Sequence, residues 1–300
     1  MKYFLLTILL LVGCGYGRNE AKDTVTPFQY AGQKAETYAG LYGDISDDTG
    51  LFDDNDCDAL LFNALYGVTD DSLDIESFRD KESGQWFRTP AKSCYKEGRS
   101  ASTISRDMLI GVMYWAWFNE RLDLLEDLRK YGQANDWVMG QGPLDRTYFT
   151  PNFQKTLYVL LGREYKGPPE LWVDPLKDHQ RHIVALNIIL RGERQGQIND
   201  DMLRLLNKFA ELEPSNALFL YGVGRFTDEN QAETINVLVN DRWFPIDRLP
   251  NSEDRCGRWL WERSGEHEHW HPCSEGVTHS GGDLRLIVFL LEQSRTKVDG

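Results

Sequence analysis

Residues 108–118 form an almost unbroken run of apolar and aromatic side chains, with Gly111 the only gap. About a dozen such residues is too long for an ordinary strand and well short of the roughly 20 that a membrane-spanning helix needs. The run therefore predicts a helix buried on every side, with Trp115 and Trp117 in the core. Ser105 stands where an N-cap side chain accepts a backbone N–H, and Asp107 falls in the first turn, where a carboxylate complements the helix dipole. Residues 120–130 follow with leucines on one face only, the pattern of a helix lying on a surface.

This order recurs along the chain. Apolar helices are predicted to start near Asp56, Ser105, Asn152, Asp178, Asn216 and Ser280, and residues 198–212 and 228–239 read as amphipathic partners. Gly192 is expected to stop the fourth of these helices. Residues 15–30 are polar and without periodicity, as in a tether. Residues 44–58 form an acidic loop, and no run of alternating strands appears. The pattern predicts an all-α fold. An (α/α) toroid explains the alternation, because its inner helices are covered on both sides and its outer helices face water. Residues 31–300 would form this single domain; a tandem solenoid of helix pairs is the competing architecture.

The N-terminus adds a location. Lys2 precedes an apolar stretch, residues 3–12, that closes in Leu-Val-Gly-Cys at Cys14, an export signal too short to span a bilayer. The box resembles that of bacterial lipoproteins. The resemblance implies a signal peptide over 1–13, lipidation of the Cys14 sulfur and a tether over 14–30. Gly15 after the cysteine implies the outer membrane, with the domain facing the periplasm or the cell surface. Four cysteines then remain for an oxidising compartment, Cys57, Cys94, Cys256 and Cys273. Of the three pairings, Cys57 with Cys94 and Cys256 with Cys273 close the shortest loops. The formal charge of −14 argues against nucleic acid or an anionic membrane surface as the main partner, which leaves the lipid anchor as the membrane contact.

The helix layout resembles the (α/α)6 toroid of secreted glycoside hydrolases and polysaccharide lyases over most of the chain after Tyr30. It resembles them in architecture, and no stretch matches one family's catalytic signature. The resemblance implies a polysaccharide substrate. If the inner helices run the same way, their starts share one face and gather Asp56, Arg106, Asp107, His179, His182, His279 and Asp283, with Tyr148 and Trp86 in nearby loops. Glycosidic hydrolysis uses one carboxylic acid on the leaving oxygen and one carboxylate to activate water or attack. Asp107 is the expected first carboxylate, with Asp283 or Asp56 its counterpart. Arg106 and His279 would position substrate, and His179, His182, Tyr148 and Trp86 would contact it.

Other readings stay open at this point. Asp, Ser and Asn are favoured helix caps whatever the function, and Ser280 with Asp283 has capping-box spacing. A lyase would use Tyr148 or His279 as its base, and a non-catalytic lipoprotein would bind glycan or scaffold the envelope. No cofactor is expected. The acidic loop fails the EF-hand spacing for calcium. His267, His269 and His271, which with His279 could hold zinc in a metal-dependent hydrolase, match no zinc signature. The chain has no G-x-S-x-G, P-loop or dinucleotide fingerprint. Replacing Cys14 with Ser should abolish incorporation of labelled palmitate in a bacterial host. Undiminished labelling of Cys14→Ser would rule out Cys14 as the lipid site.

Overall fold

The computed structural model describes residues 25–45, 59–92, 102–142, 145–175, 180–227, 229, 231–250 and 280–296. Its elements are α1 (Pro27–Ile45), α2 (Ala59–Gly67), a 3-10 turn (Ile75–Phe78), α3 (Arg106–Phe118), α4 (Leu122–Ala134), β1 (Val138–Gln141) and β2 (Arg146–Tyr148). After these come α5 (Pro151–Leu160), α6 (Arg181–Gln195), α7 (Asp200–Leu212), α8 (Ala217–Phe226), α9 (Ala232–Leu238) and α10 (Gly282–Thr296). The described chain is thus mostly helical, with one two-stranded antiparallel sheet.

Every apolar run anticipated from the sequence is a helix: α2, α3, α5, α6, α8 and α10. The amphipathic partners are α4, α7 and α9. Local chemistry explains several boundaries. Asn199 Oδ1 accepts the Met202 N–H at 2.9 Å, and Asp200 and Asp201 fill the first turn of α7. Asn216 caps α8 by accepting the Leu218 N–H at 3.1 Å. The predicted stop at Gly192 is corrected, because α6 continues to Gln195 and ends on Gly196, whose φ of 75° is the left-handed cap conformation. Gly192 instead gives room for the Phe226 ring of α8.

Packing joins five of the six apolar helices in a closed cycle. Helix α2 packs on α3, α3 on α6, α6 on α8, α8 on α10, and α10 returns to α2. The remaining helices cover this cycle: α4 lies on α3, α7 on α6 and α8, α9 on α8, and α1 bridges α9 and α10. Helix α5 was expected in the inner set but packs on α6 and α4, burying Phe153, Gln154, Thr156, Leu157 and Leu160 while its other residues stay half-exposed. Its Lys155 and Tyr158 leave it only one apolar face.

Two glycines set how closely the central pair approach. A Cβ on Gly111 would lie 3.2 Å from Leu61 and 3.3 Å from Ala64, and one on Gly67 would lie 2.9 Å from Trp115. These contacts advance together along both helices, so α2 and α3 run parallel. Gly222 against Ile189 and Phe226 against Gly192 give the same sense to α6 and α8. Helix α1 runs the other way along α10, with Arg295 over the Phe28 ring at 4.1 Å and Tyr38 against Gly281.

Helix α1 begins at Pro27, inside the segment expected to be a tether, and its residues beyond Tyr30 had not been read as helix. Its buried face is built from Ala31, Lys34, Ala35, Tyr38 and Tyr42. Lys34 is fully buried. Its ammonium donates to the carbonyls of Leu238 (3.4 Å) and Val239 (2.9 Å) at the end of α9 and pairs with Asp241 at 2.6 Å. Burial holds the Lys34 pKa below its ordinary value despite Asp241, so the unfolded chain binds this proton more tightly. Stability should therefore rise with pH through the window between the lowered pKa and the ordinary lysine value, and Lys34→Met should remove that rise. Asp241→Ala, which strips the buried ammonium of its carboxylate, should cost about 1–3 kcal/mol in urea denaturation at neutral pH. An unchanged midpoint would show that the two carbonyls suffice.

Candidate functional site

The start of α3 is held by a polar framework that the sequence did not announce. The two hydroxyls of Ser102 and Thr147 lie 2.5 Å apart, and both donate to the Ile104 carbonyl, Thr147 at 2.5 Å. Thr103 Oγ1 accepts from Gln85 Nε2 at 3.1 Å and from the Gln141 N–H at 3.3 Å. Arg88 donates through Nε to the Ser102 carbonyl at 2.9 Å and through its backbone N–H to that of Thr103 at 3.0 Å. The hairpin comes so close that a Cβ on Gly140 would lie 2.7 Å from Ile104 and 2.9 Å from Thr103 Oγ1, so position 140 must be glycine. The β1–β2 hairpin and the loop around Arg88 thus clamp residues 102–104, and with them the direction in which α3 begins.

Ser105 has the extended backbone of an N-cap, φ −114° and ψ 167°, but makes no side-chain cap bond to the helix. Its hydroxyl donates instead to Asp107 Oδ1, which also accepts the Met108 N–H at 3.0 Å. The capping role expected of Ser105 has passed to Asp107. Both donors fall on one carboxylate oxygen. The second oxygen of Asp107 and the guanidinium of Arg106 have no hydrogen bond or ion pair among the described residues, and both residues are half-buried.

The other expected site residues are dispersed in character. Asp283 is fully buried at the start of α10, where Oδ1 accepts the Leu284 N–H at 2.7 Å and Ser280 Oγ accepts the Gly282 N–H at 3.2 Å. Tyr66 closes over this turn by donating to the Ser280 carbonyl at 2.5 Å. His182, the second residue of α6, is 4% exposed. Tyr148 is 50% exposed on β2. Trp86 is corrected: at 1% exposure, edge-on to Trp115 with centroids 6.4 Å apart, it belongs to the core and offers no open ring face to a sugar. None of the hydrogen bonds of Asp107 reaches Asp283, His182 or Tyr148. Asp56, His179, His279, Cys14, Cys57, Cys94, Cys256, Cys273 and the histidine-rich stretch 267–271 lie outside the described residues. Among the described residues no group of three or more His, Cys, Asp or Glu could hold a metal ion.

A second polar centre escaped the sequence reading. Near the end of α6, the Glu193 carboxylate accepts from Tyr221 Oη at 2.8 Å and from Arg225 through Nε at 2.7 Å and Nη2 at 3.3 Å. Tyr114 of α3 is buried nearby and donates to the Leu186 carbonyl at 3.0 Å. Burial, and then the Glu193 charge, push both phenols well above their ordinary pKa, so they remain protonated donors. The cluster ties α6 to α8 inside the cycle and is structural. A Glu and an Arg near the ends of apolar helices were the only sequence signal for it.

No family model, no curated protein and no solved structure matches the chain. No helix among the described residues is long and apolar enough to cross a membrane.

The α3 start yields a stability test. Asp107→Ala removes the acceptor of the Met108 N–H and of the Ser105 hydroxyl and should cost about 1 kcal/mol in thermal or urea denaturation. Asp107→Asn keeps an oxygen in that place and should cost less than half as much. Equal losses for the two variants would mean that the charge, rather than the cap, is what α3 requires.

Proposed function

We propose that this chain is a lipid-anchored envelope protein whose helices close into an (α/α) toroid and which hydrolyses glycosidic bonds of a polysaccharide at the start of α3. The closed cycle of α2, α3, α6, α8 and α10, covered by the remaining helices, supports the toroid. One observation carries the site. Asp107 is gripped through a single oxygen at a rigidly clamped helix start, while its other oxygen and the neighbouring Arg106 are left without a partner among the described residues. A carboxylate fixed in direction with one free oxygen suits proton transfer to or from a bound sugar. Arg106 beside it suits orientation of substrate hydroxyls or carboxylates. Asp56 is the first choice for the counterpart, because Asp283 is fully buried in the first turn of α10.

A second reading has its own observation. Asp107 and Asp283 each accept a backbone N–H in the first turn of a helix, as structural caps do. On that reading the protein binds glycan without cleaving it.

Reducing-end release and ultraviolet absorbance separate these readings when the chain from Gly15 on is incubated with peptidoglycan and with neutral, acidic and amino polysaccharides. The hydrolase gives new reducing ends without absorbance, and Asp107→Asn should lower the rate about 10²–10⁴-fold while the protein stays folded, with only the small loss of stability expected of a weakened cap. Absorbance from an unsaturated product would replace it by a lyase with Tyr148 as the candidate base. Binding without any product would favour the non-cleaving protein.

A further inference from the structure

Among the described residues the buried lysines and arginines are Lys34, Arg191 and Arg285. A cation taken out of water is costly unless a carboxylate offsets its charge. Lys34 has Asp241 and Arg191 has Glu170. Arg285 of α10 is only 8% exposed, and no carboxylate among the described residues pairs with it. Its Nε donates to the Thr69 hydroxyl at 2.6 Å, but Nη1 is buried without a hydrogen-bond partner and Nη2 has none among the described residues. The charge also stands in the first turn of α10, where the helix dipole disfavours a cation.

The surroundings aim the guanidinium without neutralising it. Its central carbon lies 5.2 Å from the centroid of the Tyr66 ring, and Tyr66 is stacked on Tyr42 with centroids 4.0 Å apart. Thr69 Oγ1, which accepts from Arg285, donates in turn to the Tyr66 carbonyl at 3.3 Å. The neighbouring carboxylates point elsewhere: Asp70 Oδ1 accepts the Ser72 N–H at 3.0 Å and its hydroxyl at 2.6 Å, Asp71 is exposed, and Asp283 Oδ1 accepts the Leu284 N–H at 2.7 Å. The end of α2 and the start of α10 therefore hold a buried positive charge whose two terminal nitrogens are uncommitted. This place is distinct from the start of α3. Gly67, next to Tyr66, meets Trp115, which lies about 12 Å along α3 from Asp107.

We propose that Arg285, oriented by Thr69 and Tyr66, binds a single oxyanion, the carboxylate or phosphate group of a small ligand. With Nε committed to Thr69, Nη1 and Nη2 present the end-on fork that two oxygens of such a group match. One guanidinium in a chain of formal charge −14 suits one acidic group; a nucleic acid needs many cations along its phosphates. The group can arrive as free phosphate or on a sugar acid, and both use the same fork. The proposal does not depend on turnover at Asp107.

Thermal melting of the folded protein in sodium phosphate, D-galacturonate or trigalacturonate, against sodium chloride at matched ionic strength, tests it. Phosphate stabilises many proteins by exclusion from their surface, so the quantity read is the difference between wild type and variant in the same salt. The wild-type melting temperature should rise saturably with at least one of these anions. Arg285→Lys, a point charge without the fork, should raise the half-saturating concentration about tenfold, and Arg285→Met should abolish the saturable rise. In chloride alone Arg285→Met should melt at or above the wild-type temperature, because it removes an uncompensated buried charge. Asp107→Asn should leave the anion response unchanged. A lower half-saturating concentration for a galacturonate than for phosphate assigns a sugar acid, and the reverse assigns free phosphate. The proposal is overturned if no anion gives a saturable rise, or if Arg285→Met responds as the wild type does. It is equally overturned if Arg285→Met unfolds in chloride while Arg285→Lys responds like the wild type, since Arg285 would then be a prop for Tyr66.

Discussion

The close contact between α2 and α3 is the constraint from which the rest of the structure follows. Gly111 lets the backbone of α3 approach Leu61 and Ala64, and Gly67 admits the edge of Trp115. A side chain at either glycine would push apart two helices whose remaining neighbours are already buried. Interiors are packed too tightly to absorb such a shift. With this pair set, Tyr114 reaches α6, Phe118 meets Phe289 of α10 at 4.9 Å, and Tyr66 closes over the start of α10. Each large side chain so buried contributes about 1.5–3 kcal/mol, which gives the apolar runs their weight in the fold.

Charges mark contacts within the inner cycle, within its cover and between the two. Lys34 secures α1 to the end of α9, Glu193 joins Tyr221 and Arg225 across α6 and α8, and Arg191 of α6 pairs with Glu170 in the segment beyond α5. Buried pairs of this kind contribute little net stability, because desolvation offsets their attraction, yet losing one partner is expensive. Their effect is to penalise alternative registers. A helix that slid by one turn would leave a buried charge facing carbon.

The start of α3 shows why capping and chemistry are hard to separate. On the proposed reading the residue that satisfies the helix would also act on the substrate, because both tasks need a carboxylate fixed at the mouth of a buried element. The framework around it, from Ser102, Thr103 and Thr147 to Arg88 and Gln85, orders a segment that a simple cap would not require to be so rigid. The junction beyond α4 follows the opposite logic, since there Trp137 takes left-handed backbone and its ring packs against Gly132.

By itself the sequence determined the helical class, the six apolar runs, their amphipathic partners and the cap at Asn216. These depend on periodicity and on single residues beside their own helix. Helix α1 was not legible because Tyr30, Lys34, Tyr38 and Tyr42 count as polar or ambiguous until distant neighbours cover them, among them α9, α10, the segment at Pro245 and Tyr66 of α2. The same holds for Trp86, whose loop position suggested an open ring until Trp115 was seen against it, and for the hairpin, whose three- and four-residue strands are too short to show alternation. The transfer of the cap from Ser105 to Asp107, the one-sided burial of α5 and the complete burial of Asp283 were decided by tertiary structure. Each depends on which distant surfaces meet, and a one-dimensional pattern carries no record of that.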